Sequence, residues 1–262
     1  MTYTPYDWQH TLTQKIDYVE DRLRLGNPVV GISSKDGVLI LTLKKTQGKI
    51  YEIYDRLAFA GIGNPSDLEN IRHSTVDFCH AEGFQRSAED VTIQRVVGFA
   101  ISPAIKKRFS DPFQSPLIIR GLFTQVGREP QDDLFYTLNY DGEFTPSPDA
   151  AVLAGTGNGI RWMELVLWGK SGRRKTKTAP KLETALEKAV RAWAIGNWAT
   201  KSNEDALVVP SESVMPSDTE LNKIAKETFK EAEIEAALMT RSKDKDRRLE
   251  FLSADDLKPY LP

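Results

Sequence analysis

The sequence predicts an α+β fold, antiparallel sheets with helix layers outside them. Strand-like and helix-like segments come in blocks and not in strict alternation, the order that separates antiparallel sheets from βαβ folds. Hairpin chemistry recurs at Lys35-Asp36-Gly37 and at Asp141-Gly142. Between them in kind stands VLILTL, residues 38–43, apolar at nearly every position, and a strand of that sort is covered on both faces.

The elements follow in order. Over residues 6–25, Trp8, Leu12, Ile16, Val19 and Leu23 recur at helical spacing, while Asp7, Lys15, Asp17, Glu20, Asp21, Arg22 and Arg24 fill the other faces of an amphipathic helix. Thr4-Pro5 starts it and Gly26-Asn27-Pro28 stops it. Residues 29–33 and 38–43 then read as a hairpin, and residues 49–63 as two shorter strands about Asp55-Arg56; four strands in a row predict a meander. Asn64-Pro65-Ser66-Asp67 opens a helix with Asn64 as N-cap and Pro65 in its first turn. That helix is expected to run to Glu82, to turn Leu68, Ile71, Thr75 and Phe78 inward, and to stop at Gly83. A second helix is expected from Ser87, where Ser87 and Asp90 have capping-box spacing, with Pro103 interrupting or kinking it.

Residues 117–126, 134–140 and 150–154 read as further strands. The turn GTGNG leads into a helix carrying Ile160, Met163, Leu165, Val166 and Leu167, and another helix spans 181–195. Beyond a region rich in Ser, Pro and Glu, a helix from Asp218, strands at 234–240 and 249–252 and a short helix at Ala254 complete the chain. No linker divides it.

Charge and composition exclude several functions. With 37 acidic against 35 basic residues the net charge is -2, so no global attraction to nucleic acid or to an anionic membrane is expected. KSGRRKTKT, residues 170–178, is basic but carries no interleaved aromatics, and reads as a solvated loop. No stretch approaches a membrane span, and MTYTPYDWQH lacks the features of a secretory leader, so a cytoplasmic protein is expected. The single cysteine, Cys79, forms no internal disulfide and is expected to pack as a small hydrophobe. His10, His73 and His80 have no accompanying ligand set, so no metal is expected. GTGNGI lacks the third glycine of the dinucleotide fingerprint, and no cofactor is expected.

Three blocks, NPVVGISSKDGVLIL, KIYEIYDRLAFAGIGNPSDLENIR and IEAALMTRSKDKDRRLEFLSADDL, in this order and spacing, resemble proteasome core-particle subunits, in particular the bacterial alpha-type ones. The resemblance covers most of the chain. It implies a four-layer α-β-β-α sandwich of the N-terminal nucleophile hydrolase type in one domain over residues 1–262: residues 1–26 as tail and helix, 27–262 as sandwich, with an irregular insertion near 200–217.

Catalytic subunits of that family begin their first strand with a threonine whose hydroxyl attacks and whose free amine serves as base. Here the matching position is Asn27, inside a continuous chain and followed by Pro28, with neither hydroxyl nor free amine. The acidic partner matches Leu43 and the supporting serine falls near Thr156; the lysine alone survives, as Lys49. Thr2, exposed if Met1 is removed, stands a whole helix away from the strand opening. No catalytic residue is therefore expected. In alpha-type subunits the corresponding lysine lies in a pocket between neighbouring subunits and pairs with the C-terminal carboxylate of an ATPase activator, a role that charge-assisted pairing suits. The resemblance also implies a gate formed by Tyr3, Thr4, Pro5 and Tyr6, and a ring-packing role for the helix of Trp8, Leu12, Ile16, Val19 and Leu23.

The expected function is that of a non-catalytic alpha-type subunit in a homo-oligomeric, seven-membered outer ring. Such a ring gates admission of unfolded protein substrates, templates a beta-type catalytic ring and docks an ATPase unfoldase. Two alternatives stand beside it: a self-processing threonine peptidase whose helix is a propeptide, and a stand-alone ring without proteolytic activity.

Overall fold

The computed structural model describes residues 5–44, 46–169, 178–202, 215–229, 232–242 and 248–260. The chain opens with helix α1 (Pro5–Leu23), then strands β1 (Val29–Ser33), β2 (Gly37–Lys44), β3 (Ile50–Tyr54) and β4 (Leu57–Gly63) and helix α2 (Pro65–Gln85). A broken helical stretch follows: α3 (Ile93–Arg95), a π-helical segment over Val96–Ile101, and α4 (Ser102–Ser110). Strands β5 (Ile119–Gln125), β6 (Leu134–Asn139), β7 (Phe144–Ser147) and β8 (Ala150–Leu153) precede α5 (Gly157–Trp168), α6 (Leu182–Ser202) and α7 (Asp218–Thr228). Strands β9 (Glu233–Thr240) and β10 (Leu249–Phe251) and helix α8 (Ala254–Leu257) end the fold.

Two antiparallel five-stranded sheets result, ordered β10-β9-β2-β1-β8 and β3-β4-β5-β6-β7. The alternation of side chains along each strand explains why both are covered twice. In β2, Val38 and Ile40 point between the sheets, whereas Leu39, Leu41 and Leu43 meet α5 and α6 through Trp162, Met163 and Trp193. In β4, Ala58, Ala60 and Ile62 face the other sheet while Leu57 and Phe59 face α2 and the π segment. The four-layer sandwich expected from the sequence is the fold observed. Gly31 sits at a close approach of the two sheets: a Cβ there would meet Leu122 and the Phe135 ring at 3.0 Å.

Four local expectations are corrected. The first four strands are no meander, because β1 and β2 belong to one sheet and β3 and β4 to the other. The outer edge of β2 is taken by β9 in an eight-pair register from Gly37↔Thr240 to Lys44↔Glu233, so β3 crosses over and pairs with β4. Helix α2 runs through Gly83 to Gln85; that glycine is no stop signal but makes room for Tyr54, whose hydroxyl would lie 2.2 Å from a Cβ. No regular helix starts at Ser87: the Ser87 hydroxyl donates to the Asp90 carboxylate at 2.9 Å and no cap bond reaches an amide. The continuous helix is replaced by the π segment, which ends where Pro103, lacking an N–H, enters the first turn of α4. Finally, α6 extends to Ser202, into the start of the stretch expected to be irregular, while residues 203–214 lie outside the described residues.

Strand β7 was not evident in the sequence because Pro146 interrupts it; at the sheet edge a missing N–H is tolerated. Cys79 is buried, and burial pushes its thiol up to about 12. At the end of β1 remote from α1, the wholly buried Asp133 carboxylate joins the two sheets. It accepts from the Ser33 hydroxyl at 2.5 Å, the Gly127 N–H at 2.8 Å and both terminal nitrogens of Arg241 at 2.5 and 2.6 Å.

Candidate functional site

The opposite end of β1 carries the site. Helix α1 ends in bonds from the Arg24 N–H to Glu20 and from the Gly26 N–H to Leu23, which turn the chain into Asn27-Pro28 and β1. Its inner face enters the space between the sheets: Val19 and Leu23 are wholly buried there, about 1.5–3 kcal/mol of gross hydrophobic stabilisation each. Leu12 packs against the same core and Trp8 is half-buried, whereas Ile16 is 41% exposed. Tyr18 and Leu25 are exposed beside it. The exposed apolar surface here is thus Ile16 and Tyr18 of α1 and Leu25 just after it, while Val19 and Leu23 serve the chain's own core.

A buried polar clasp fixes α1 in place. Arg120, alone among the apolar residues of β5 in carrying charge, donates to the Ala154 and Gly155 carbonyls at 2.9 and 3.0 Å and to the Glu20 carboxylate at 2.5 Å. Tyr140 donates to the same Glu20 oxygen at 2.9 Å, and burial with the neighbouring Glu20 holds its phenol above the usual tyrosine range. Gly155 permits the contact, since a Cβ would lie 2.5 Å from the Leu23 carbonyl.

Beside the clasp lies an open pocket of about 260 Å³, walled by Arg22 and Asn27 from the exit of α1, by Gln47, Gly48, Lys49 and Tyr51 from the turn into β3, and by Pro65 and Leu68 from the start of α2. Asn27 and Lys49, singled out in the sequence, are brought to one pocket. Gly63 makes the third wall possible: its φ is 131°, and a Cβ would collide with the Ile118 carbonyl. Asn64 then caps α2, its side-chain oxygen accepting from the Ser66 N–H at 2.9 Å.

The turn bearing Lys49 is pinned on two sides. Glu235 of β9, 5% exposed, accepts from the Lys49 N–H at 2.8 Å and the Ile50 N–H at 3.5 Å. Burial holds its carboxyl above the usual range, against the opposing pull of those two N–H groups and of Lys44 and Lys49. From the other side the Tyr51 hydroxyl donates to the Gly48 carbonyl at 2.6 Å. Burial, reinforced by Glu69, pushes that phenol up to about 12, and the Arg72 guanidinium lies 5.2 Å from its ring centre.

The positions matched to a catalytic centre are spread over three different settings. Asn27 is internal to the chain; Leu43 is wholly buried against the helix layer; Thr156 is the N-cap of α5, its hydroxyl oxygen accepting from the Gly159 N–H at 3.1 Å. Of the residues matched to a gate, Tyr3 and Thr4 lie outside the described residues, and Pro5 and Tyr6 are in the first turn of α1. Residues 170–177 of the basic loop also lie outside them. His73 neighbours Glu69 at 3.4 Å, and His80 packs edge-on against Tyr54. Among the described residues no group of acidic, histidine or cysteine side chains is placed to hold a metal, and no helix is long and apolar enough to cross a membrane.

Arg22, Glu235, Arg120, Glu20 and Tyr140 were not singled out from the sequence. The signal for two of them was present: one charge inside IRGLFTQ, and Glu235 inside the otherwise apolar IEAALM.

No family model matches the chain. It is 27% identical over 202 residues to the proteasome subunit alpha of Actinosynnema mirum, across 76% of this chain and 73% of that protein. It is 26% identical over 190 residues to that of Frankia casuarinae, across 72% and 75%. The match to that of Kineococcus radiotolerans, 28% over 156 residues, spans 58% of this chain and 64% of the relative, somewhat less than two thirds of its length. Together with the two-sheet sandwich, these matches make the chain similar to proteasome alpha subunits.

Proposed function

We propose that the chain is a non-catalytic alpha-type subunit of a proteasome core particle, assembling with copies of itself into a seven-membered outer ring. This ring templates a beta-type catalytic ring, restricts admission of protein substrates and docks an ATPase unfoldase. The observation that carries the reading is the end of the sandwich where a catalytic relative would hold its nucleophile. There the chain continues through Asn27 into α1, whose inner face is buried between the sheets and which is clasped by Arg120.

The pocket next to it suits a carboxylate terminus. Lys49 and Arg22 bring two cations, and Pro65, Leu68 and the exposed Leu25 bring apolar surface for the residues preceding that terminus. Exposed Ile16 and Tyr18 on α1 supply surface for a neighbouring copy. Residues Tyr3 to Tyr6, which lead into this anchored helix and begin it, take the part of the gate.

The test is co-expression with a beta-type subunit from the same genome. The account expects co-purification in one particle, peptidase activity that depends on the beta subunit's N-terminal threonine, and none from this chain alone. Replacing Lys49 by Ala is expected to weaken binding of the unfoldase's C-terminal peptide at least tenfold, while leaving ring assembly intact. Peptidase activity of the isolated chain, or no association with a beta-type subunit, would refute the reading.

A further inference from the structure

We infer that Glu235 is the positioning residue of the docking pocket: its buried carboxylate, by accepting the Lys49 and Ile50 N–H groups, holds the turn that presents Lys49. The inference rests on the reading of that pocket as a carboxylate-docking site. Glu235 belongs to the first sheet and the turn it holds opens β3 of the second, so one side chain spans the layers at the point where the chain crosses between them. Gly48 is the residue that lets it approach, since a Cβ there would lie 2.8 Å from the carboxylate.

Among the described residues, the groups that act on Glu235 are few. Lys44 at the end of β2, Lys49 in the turn and Tyr51 on β3 act on it, and Tyr51 pins the same turn through the Gly48 carbonyl. Lys44 is also paired with Glu233 at 3.2 Å at the exposed start of β9. A carboxylate kept under cover is poorly solvated, and what holds it ionised is the pair of amides and the two ammonium groups. Protonation of Glu235 therefore weakens its grip on the turn. A second carboxylate, that of the docking peptide, reaches Lys49 from the solvent side.

The test uses the assembled full-length protein and a fluorescein-labelled hexapeptide ending in Ala-Leu, made with a free C-terminal carboxylate and as the C-terminal amide. Backbone hydrogen exchange at Lys49 and Ile50 is read on the same samples. In Glu235→Gln, which keeps one acceptor oxygen but not the charge, exchange at the two amides is expected to rise about fivefold and preference for the free carboxylate to fall by a similar factor. Glu235→Asp, charged but one methylene shorter, is expected to recover part of both. The thermal midpoint of Glu235→Gln at neutral pH is expected to stay at or above that of the wild type. A purely structural glutamate would instead lose stability and affinity together. Unchanged exchange at Lys49 and Ile50 in Glu235→Gln, or a parallel drop in midpoint and affinity, would overturn the role given to Glu235. If the wild type bound both peptides alike, the docking reading would fall, and the exchange measurement would still decide whether Glu235 holds the turn.

Discussion

Replacing Arg120 by Met removes the clasp that holds α1. The guanidinium donates to the Ala154 and Gly155 carbonyls and to Glu20, and its side chain is 6% exposed. Two buried carbonyls then lose their donor, at about 1–3 kcal/mol each. The ion pair adds little, because the Glu20 side chain is 36% exposed and keeps its bond from Tyr140. Relief of the buried guanidinium's desolvation offsets part of the loss, and Met fills much of the same volume. The net expectation is about 3 kcal/mol, which for a chain of this size lowers the thermal midpoint by about 6 °C. Thermal unfolding by circular dichroism measures the midpoint, and hydrogen exchange locates the effect in α1 and the turn at 154–157. Glu20→Gln, which retains an acceptor for both partners, is expected to lose no more than about 1 kcal/mol. A midpoint within about 1 °C of the wild type for Arg120→Met, or α1 exchanging no faster, would refute the clasp.

Other consequences follow from individual contacts. Gly83→Ala places a methyl against the Tyr54 hydroxyl; despite the better helix propensity of Ala, a net loss of about 1 kcal/mol is expected, and a raised midpoint would contradict the packing argument. Cys79 is buried with its thiol pushed up to about 12, so the native protein is expected to leave a thiol-reactive disulfide reagent unconsumed near pH 8 and to react fully once unfolded. Glu235 has a pKa raised above its unfolded value, so its contribution to stability is present at low pH and is lost as pH rises from the ordinary value of 4.5 through the raised one. Glu235→Gln abolishes that decline, and the midpoint of the variant relative to the wild type is expected to rise as pH increases above the ordinary value of 4.5. A difference independent of pH would show that Glu235 is not buried as described.

The layers were legible wherever a local pattern determined them. The helical pattern of α1, the Asn64-Pro65 cap and the nearly unbroken apolar run of β2 are signals contained within a few turns or one strand, and each forms the element read from it, although Ile16 of the α1 stripe stays exposed. What the sequence concealed is long-range. That β2 prefers β9 to β3 depends on a partner almost two hundred positions away, whereas hairpin chemistry at Asp55-Arg56 speaks only for β3 and β4. Lys49 and Glu235 lie 186 positions apart and Glu20 and Arg120 lie 100 apart, so no spacing rule connects them. Gly83 misled for a related reason: a glycine that ends a helix and one that clears space for a tyrosine from another strand look alike until the strand is placed. Of the site, Asn27 and Lys49 came from the resemblance to proteasome subunits, and the second cation, Arg22, emerged only once α1 had been set beside the turn into β3.

The central claim, an unprocessed ring-forming subunit that works with a beta-type partner, is tested most directly by native mass spectrometry of the full chain with and without that partner, alongside intact mass of the denatured sample. The account predicts a chain that retains the residues ahead of Val29 and a particle combining rings of both subunits. A chain cut ahead of β1 that cleaves peptides by itself, or a chain that stays monomeric in the presence of the beta-type subunit, would contradict it.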